Sequence, residues 1–235
     1  MTTATADASS WLQTDSPAYR DALVRSEPFS FMVARDMLPR DIMPALLDDF
    51  PRLRGAGYLP YEADQCGNSV NALIDRLVAP DFANALGENL GIDNMGQYPT
   101  YVSISRSLKK RHGNIHTDGK SKIATALLYL NGDWAETGSG CLRFLNRIDD
   151  YEDTVIPEIP PVYGTLVAFR RADNSFHGHL PFQGERRVIQ VAWLVSAEDK
   201  ARKSRRGRLS YKLKKLQNWL KGKTGDRPGS AATGQ

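Results

Sequence analysis

The segment YVSISRSLKKRHGNIHTDGKSKIATALLYLNGD, residues 101–133, contains two runs of strand-forming residues, each followed by polar or turn residues. The same pattern continues to residue 195, where β-branched and aromatic runs alternate with Gly, Asn and Asp. The runs lie at 101–105, 123–130, 141–145, 165–169 and 187–195. Five strands at close spacing, with no long helix between them, predict an antiparallel β-sandwich or barrel.

The residues before this β-rich region predict mainly helices. A short strand is predicted over 29–33 and a helix over 41–50, where apolar residues recur on one face. A second helical region runs from about 69 to 90 and is interrupted by Pro80. Residues 1–25 are polar and rich in Ala, Ser and Thr, so we expect a flexible N-terminal segment except around Trp11.

Length and composition are those of an ordinary globular protein, which excludes a mainly disordered chain or a coiled coil. The 235 residues, 41% hydrophobic and 25% charged, fit one domain with a short appendage. We expect the domain over residues 26–198, with its β-rich core at about 96–196. No apolar run is long enough to span a membrane, no signal-peptide pattern precedes the domain, and cysteines are few. A cytoplasmic protein with reduced thiols is therefore expected.

The net charge of +4 conceals a basic C-terminal region. Residues 200–223 hold eleven Lys or Arg and no Asp or Glu, which leaves 20 basic and 27 acidic residues elsewhere. Within a basic appendage at 199–235, the stretch LSYKLKKLQNWLKGK at 209–223 predicts an amphipathic helix, and a disordered tail is expected after it. We expect this helix either to dock its leucine stripe on the domain or, through residues 204–223, to contact the inner face of a membrane peripherally. Nucleic-acid binding is the least favoured interpretation, because no recognisable binding module accompanies the charge.

All four histidines, His112, His116, His177 and His179, lie in the β-rich region. His116 and Asp118 form an H-x-D pair, which places both side chains on one face of an extended segment. With one later histidine, they would complete the two-histidine, one-carboxylate set that holds non-haem Fe(II) and leaves positions open for a co-substrate and O₂. His177 and His179 are two residues apart and share a face, so both are candidates for the third ligand.

Two consecutive arginines, Arg186 and Arg187, stand at the start of the last predicted strand. A guanidinium beside the metal set would hold a carboxylate, such as the distal carboxylate of 2-oxoglutarate, through two parallel hydrogen bonds. Alternation places the two arginines on opposite faces, and Arg187 shares its face with Trp193. We therefore expect Arg187 to enter the cavity and Arg186 to be a solvated charge.

Residues 101–195 resemble the iron(II)/2-oxoglutarate-dependent dioxygenases, and among them the prolyl-4-hydroxylase-like branch. HTD at 116–118 is similar to the first two metal ligands of that family. ALLYLNGDW at 126–134 is similar to the strand and turn that follow those ligands, and GCLRF at 140–144 to the next strand.

A further stretch, NSFHGHLPFQGERR at 174–187, resembles the family's third-ligand segment. Its spacing to Pro181 and Arg187 favours His177 over His179 as the third ligand. The resemblance implies a mainly β fold with supporting helices (α+β), namely a double-stranded β-helix or jelly roll. The jelly roll would be preceded by N-terminal helices and followed by the basic C-terminal helix.

The resemblance also implies roles for individual residues. His116, Asp118 and His177 would bind Fe(II), with 2-oxoglutarate and O₂ as co-substrates and ascorbate as a reductant. Arg187 would hold the distal carboxylate of 2-oxoglutarate, with the hydroxyl of Tyr129 as a second donor. Other residues expected to support the ligands or contact the substrate are His179, Arg106, Arg143, Lys120, Lys122 and Trp193. Among these, Arg106 stands where the family often has a tyrosine.

The implied reaction is hydroxylation of a substrate with release of succinate and CO₂. The resemblance points to a prolyl residue of a protein or peptide, and the alternative is a small-molecule, saccharide or lipid-linked substrate. Lys120 and Lys122 are expected to face an anionic substrate. A hypothesis of a different class is a non-catalytic jelly-roll adaptor that binds membrane or nucleic acid through its basic tail. The complete ligand set argues against it, and no oligomeric state is predicted.

Overall fold

The structure, a computed structural model, describes residues 8–134 and 138–205. Its strands are β1 Leu23–Arg25, β2 Phe31–Ala34, β3 Leu59–Pro60, β4 Thr100–Leu108, β5 Lys122–Tyr129, β6 Arg143–Leu145, β7 Leu166–Arg170, β8 Phe176–Gly178 and β9 Gly184–Leu194. Its α-helices are α1 Pro17–Arg20, α2 Met43–Asp48, α3 Asn68–Leu77, α4 Pro80–Leu90 and α5, which begins at residue 197 and is described to residue 205. Short 3₁₀ turns lie at Ala8–Ser10, Arg40–Ile42, Ala63–Gln65 and Met95–Gln97.

Seven of the strands form one sheet in the order β1-β2-β7-β5-β9-β4-β3, in which neighbouring strands are antiparallel. Strands β6 and β8 form a second, two-stranded antiparallel sheet. Most neighbours in the large sheet are distant in sequence, as the connections of a jelly roll require. This mostly antiparallel architecture with several helices confirms the predicted fold class.

The two faces of the large sheet are covered differently, because successive residues of a strand point to opposite sides. In β5, Ala126 and Leu128 join the core beneath the helices, whereas Leu127 and Tyr129 join the core between the two sheets. Both faces are therefore buried at this strand, and β5 forms an almost unbroken apolar run. The space between the two sheets contains the candidate site described below.

The helices on the outer face follow from their apolar spacing. Helix α3 buries a stripe of side chains at Val70, Leu73, Ile74 and Leu77. Helix α4 begins at Pro80, since a missing N–H does no harm in a first turn, and ends at Gly91, which has φ of +67°. The predicted helical region is thus two helices divided at Pro80. Helix α2 is shorter than predicted, because residues 40–42 form a 3₁₀ turn instead.

Residues 8–25 carry α1 and β1, although the sequence predicts a flexible segment there. Trp11 and Leu12 are buried in the core beneath the helices. Strand β1 extends the edge of the large sheet by pairing with β2, so that Leu23 lies opposite Val33. A few apolar residues are therefore enough to dock this polar stretch on the domain.

Aromatic side chains join the two sheets. The Phe144 ring of β6 lies 4.6 Å from the Phe31 ring of β2 and 5.6 Å from the Phe169 ring of β7, measured between ring centroids. In the small sheet, Phe144 lies opposite His177. Packing of this cluster therefore fixes the position of His177 relative to the large sheet.

None of the helices in the described part of the chain is long and apolar enough to cross a membrane. The amphipathic helix predicted over 209–223 lies outside the described residues.

Candidate active site

His116, Asp118 and His177 converge between the two sheets. One potential ligand atom from each residue lies within 4.8 Å of the others. The backbone brings them together, because the N–H of His116 donates to the carbonyl of His177 at 3.0 Å and the reverse bond has the same length. The structure thus assembles the predicted H-x-D pair with the histidine favoured by spacing. Among the described residues, this is the one cluster whose side chains are arranged to hold a metal ion.

Hydrogen bonds orient both imidazoles. Nδ1 of His116 lies 2.8 Å from the carbonyl oxygen of Asn114, and Nδ1 of His177 lies 2.9 Å from that of Ser175. A carbonyl only accepts, so each Nδ1 carries a proton, and in the neutral ring Nε2 is then the nitrogen with a lone pair for a metal. Burial lowers the pKa of His177 to about 4, which keeps its ring neutral.

Asp118 is held as a carboxylate. Nζ of Lys122 donates to Oδ1 at 2.5 Å, and the hydroxyl of Thr125 donates to Oδ2 at 2.5 Å. Burial alone would raise the pKa of Asp118, but the charge of Lys122 and the hydrogen bonds from Lys122 and Thr125 act together against it, and the pKa falls to about 2. Two neutral imidazoles and one carboxylate are the donor set that suits a divalent iron with open positions. The residues present therefore fit Fe(II).

These three candidate ligands lie in a cavity of about 430 Å³. Its wall contains all four histidines of the chain, together with apolar side chains of the large sheet and Leu142, which precedes β6. Among the remaining lining residues, those with polar side chains are Tyr58, Asp118, Lys122, Arg186 and Gln190. The cavity is thus large enough for a small organic acid and has polar groups at fixed positions.

Arg186 is a buried cation in the cavity wall, with 2% of its surface exposed. Its Nε donates to the carbonyl of Gly140 at 2.9 Å, and its Nη2 donates to the hydroxyl of Tyr129 at 3.3 Å. The guanidinium carbon lies 5.0 Å from the centre of the Tyr129 ring. Burial would lower the pKa of Arg186, but the hydroxyls of Tyr129 and Tyr58 shift it upward. Within the described residues, no carboxylate forms an ion pair with Arg186.

The prediction that Arg187 enters the cavity and Arg186 is solvated is wrong. The guanidinium of Arg187 pairs with Glu185 at 2.8 Å, and the cavity wall includes Arg186 instead. The two arginines do point to opposite faces, but the face shared with Trp193 is the one beneath the helices. Trp193 is buried in that core and does not line the cavity.

A signal in the sequence could have identified the correct face. Gln190 is the polar residue inside the apolar run of β9, and it lines the cavity and hydrogen-bonds Ser103. Residues 186 and 190 are four positions apart on the strand, so their side chains point to the same face. A polar residue within the apolar run therefore indicates the face that borders the cavity. Tyr129, predicted as a second donor, lies beside Arg186 and is fully buried.

Other predicted site residues are divided between the cavity and its surroundings. His179 lines the cavity, and its Nδ1 lies 2.8 Å from the carbonyl of Leu180. Burial, and then the charge of Arg186, lower the pKa of His179 to about 4. Lys122 also lines the cavity, whereas Lys120 is exposed and does not. The two lysines therefore have different surroundings.

Arg106 and Arg143 do not line the cavity. Arg106 pairs with Glu185 at 3.1 Å and donates to the carbonyl of Pro51 at 3.3 Å. Arg143 pairs with the carboxylates of Glu152 and Glu158, at 2.7 and 2.8 Å. Both arginines are thus neutralised by acidic neighbours, and their contacts are those of structural residues.

Sequence reasoning missed three polar residues of the site. Thr125 binds Asp118, and Gln190 and Tyr58 line the cavity. Thr125 lies within a predicted strand, four residues before Tyr129. The two side chains therefore share a face, which could have indicated that Thr125 points toward the site. Tyr58 lies in the stretch between the predicted helices, and nothing in the local sequence marks it.

Known proteins share features with this chain. Residues 102–195 match the family model described as the 2OG-Fe(II) oxygenase superfamily. Among solved structures, the chain is similar to a prolyl-4-hydroxylase of Pseudomonas putida, at 22% identity over 70% of this chain and 85% of that chain, with a TM-score of 0.52. It is also similar to a viral collagen prolyl hydroxylase of Paramecium Bursaria Chlorella virus-1, at 19% identity over 69% of this chain and 93% of that chain, with a TM-score of 0.48. A search of curated proteins finds no match.

Proposed function

Because this chain belongs to the 2OG-Fe(II) oxygenase superfamily, we propose that its cavity hydroxylates a prolyl residue of a peptide or protein. The chain is a 2-oxoglutarate-dependent dioxygenase, and His116, Asp118 and His177 would hold its Fe(II). When bound, the metal supplies activation of O₂, coupled to conversion of 2-oxoglutarate to succinate and CO₂. The protein's own residues bind and orient the reactants.

The buried Arg186 carries the proposal for the co-substrate. A buried cation without a carboxylate partner is costly, so the cavity favours an anionic ligand at this position. Further N–H groups of the Arg186 guanidinium can donate to a carboxylate, and Tyr129 fixes the plane of this guanidinium. We assign the distal carboxylate of 2-oxoglutarate to Arg186, in place of the predicted Arg187.

The spacing along β5 supports this assignment. Thr125 binds the metal-ligand carboxylate of Asp118, and Tyr129 binds Arg186. Four residues of strand separate their Cα atoms by roughly 13 Å. The side chains of Asp118 and Arg186, which are hydrogen-bonded at these two positions, take up part of this distance. The remainder leaves room for a five-carbon dicarboxylate between the metal ligands and the guanidinium.

Two observations support a prolyl residue as the target. The fold is shared with the Pseudomonas putida prolyl-4-hydroxylase. In addition, His116 is exposed while Asp118 and His177 are buried, so the metal site is open to a large substrate on the His116 side. A peptide can therefore approach the site without entering the closed part of the cavity.

The test is turnover of proline-rich peptides by the full chain with Fe(II) and 2-oxoglutarate. We expect a mass increase of one oxygen atom on proline, with an equal amount of succinate released. Asp118→Asn removes the carboxylate charge at nearly constant shape and is expected to abolish both products. Succinate formation without peptide oxidation, across a broad peptide library, would contradict the prolyl assignment while leaving the reaction class intact.

A further inference from the structure

Tyr58 lies in the wall of the cavity, although it precedes β3 and is outside the matched region at 102–195. Its surface is 38% exposed, so the ring reaches from solvent to the cavity. Tyr58 and Arg186 line the same cavity, and Tyr58 is near enough to Arg186 and Tyr129 to contribute to the raised pKa of both groups. The stretch of chain just before β3 thus contributes a polar group on the Arg186 side of the cavity.

The chain on both sides of Tyr58 is anchored. The N–H of Gly57 donates to the carbonyl of Ser107 at 2.8 Å, and Gly57 has φ of +86°, which favours glycine. A Cβ at Gly57 would lie 3.2 Å from Nε2 of His112. On the other side, the buried Leu59 belongs to β3, which pairs with β4. The position of Tyr58 is therefore set by the sheet.

The chemistry of the three side chains follows from donor and acceptor rules. A guanidinium has N–H donors and no acceptor, so a tyrosine oxygen that binds Arg186 accepts from it. Tyr129 accepts in this way at 3.3 Å. Each tyrosine then keeps its own O–H to donate to a third group. One cation flanked by two hydroxyl donors is an arrangement that suits a carboxylate, whose two oxygens accept several hydrogen bonds.

We propose that Tyr58 donates a hydrogen bond to the distal carboxylate of 2-oxoglutarate and closes the Arg186 side of the cavity. The inference rests on the proposed function, in which Arg186 holds that carboxylate. It makes the affinity for the co-substrate depend on the segment before β3 as well as on the jelly-roll core. Tyr58 is thus a third member of the carboxylate-binding group formed by Arg186 and Tyr129.

The test compares the binding of two 2-oxo acids to the full chain loaded with Mn(II), by calorimetry. The probes are 2-oxoglutarate and 2-oxopentanoate, which has the same carbon chain with a methyl group in place of the distal carboxylate. Loss of a hydrogen bond to a charged group in Tyr58→Phe is expected to weaken binding of 2-oxoglutarate about tenfold. Binding of 2-oxopentanoate is expected to stay unchanged, because it presents no carboxylate to Tyr58.

The matched control is Tyr61→Phe. The Tyr61 hydroxyl donates to Oδ1 of Asn71 at 2.8 Å, and this residue does not line the cavity. We expect Tyr61→Phe to bind both acids as the wild type does. A melting curve of each variant shows whether the fold is retained.

Unchanged binding of 2-oxoglutarate to Tyr58→Phe would overturn the inference, and so would an equal loss for both acids, which indicates a structural role. Arg186→Met separates this failure from that of the proposed function. If Arg186→Met loses 2-oxoglutarate binding while Tyr58→Phe does not, the inference fails alone. If Arg186→Met binds 2-oxoglutarate as the wild type does, the assigned co-substrate site fails and the inference with it.

Discussion

Two buried charged residues, Asp118 and Arg186, define the chemistry of the cavity at the scale of single residues. The negative charge of Asp118 is balanced by Lys122, and the two side chains are 6% and 9% exposed. Arg186 instead donates hydrogen bonds to a hydroxyl and a carbonyl, and neither of these partners is charged. The first charge is therefore satisfied by the protein, and the second is prepared for a ligand. This difference supports the proposed roles of Asp118 as a metal ligand and of Arg186 as the residue that binds the co-substrate.

The assignment of the co-substrate cation predicts opposite results for two adjacent arginines. Arg186→Met removes the cavity cation, and we expect the dissociation constant of 2-oxoglutarate to rise about a hundredfold. Arg187→Met removes an ion pair with the half-exposed Glu185, and the same constant is expected to stay within about twofold. Calorimetry on the Mn(II)-loaded chain measures both. A large rise of the dissociation constant in Arg187→Met with little change in Arg186→Met would instead assign the distal carboxylate to Arg187.

The neighbouring lysines are also expected to differ. Lys122→Met leaves Asp118 buried without its cation, so the metal-free protein is expected to lose about 3 kcal/mol of unfolding free energy. Removal of a competing positive charge should at the same time tighten Mn(II) binding about tenfold. Lys120→Met, at an exposed position, is the control and is expected to change neither quantity. Weaker Mn(II) binding by a folded Lys122→Met would contradict this account of Lys122.

Two of the candidate metal ligands, His116 and Asp118, could be found in the sequence because they are two residues apart, which is a local pattern. The choice of His177 over His179 came from the resemblance of residues 174–187 to the family's third-ligand segment. Which of Arg186 and Arg187 faces the cavity could not be predicted in this way. Alternation along a strand shows that two neighbouring side chains point to opposite faces, but it does not show which face borders the cavity. That choice depends on which face of β9 the helices cover, which is a property of the tertiary structure.

Among the secondary-structure elements, the long strands and the short strands β2 and β6 were predictable, whereas the short strands β1, β3 and β8 were not. Strands β4, β5, β7 and β9 have runs of β-branched and aromatic residues, so their existence follows from composition. Strands β1, β3 and β8 have two or three residues each. Segments this short form strands because a neighbouring edge offers hydrogen bonds, and no local pattern signals that. Tyr58 adjoins one of them, which is why the sequence did not reveal it.

Helix α4 contains a close contact that predicts the effect of a single methyl group. A Cβ at Gly87 would lie 2.4 Å from the carbonyl oxygen of Ile92 and 2.8 Å from Cβ of Met95. We expect Gly87→Ala to lower the unfolding free energy by about 2 kcal/mol, despite the better helix propensity of alanine. Urea denaturation measures the change. Gly119→Ala, where a Cβ would meet nothing within 4 Å, is the control, and equal stabilities of the two variants would contradict the packing argument.

At the scale of the whole molecule, the metal site joins the two sheets. His177 belongs to β8 in the small sheet, and Asp118 is bound by Thr125 of the large sheet. A metal held by both would cross-link the sheets in the folded state only. Binding should therefore stabilise the domain by mass action.

Metal addition and removal test this coupling. At a Mn(II) concentration a hundred times the dissociation constant, the unfolding free energy is expected to rise by about 2.7 kcal/mol, and a chelator should reverse the change. His116→Ala is expected to lose the Mn(II)-dependent increase, because it removes one of the three donors. Differential scanning calorimetry checks both. An equal increase in His116→Ala would place the stabilising metal at another site.

The most direct test of a shared metal and co-substrate site is an anaerobic titration of the Fe(II)-loaded chain with 2-oxoglutarate, followed by visible absorption. A 2-oxo acid that chelates Fe(II) gives a weak charge-transfer band, and we expect this band in the wild type. We expect it to be lost in His116→Ala and to require a much higher 2-oxoglutarate concentration in Arg186→Met. A wild-type protein that binds Fe(II) and 2-oxoglutarate without developing the band would contradict a shared metal and co-substrate site in this cavity.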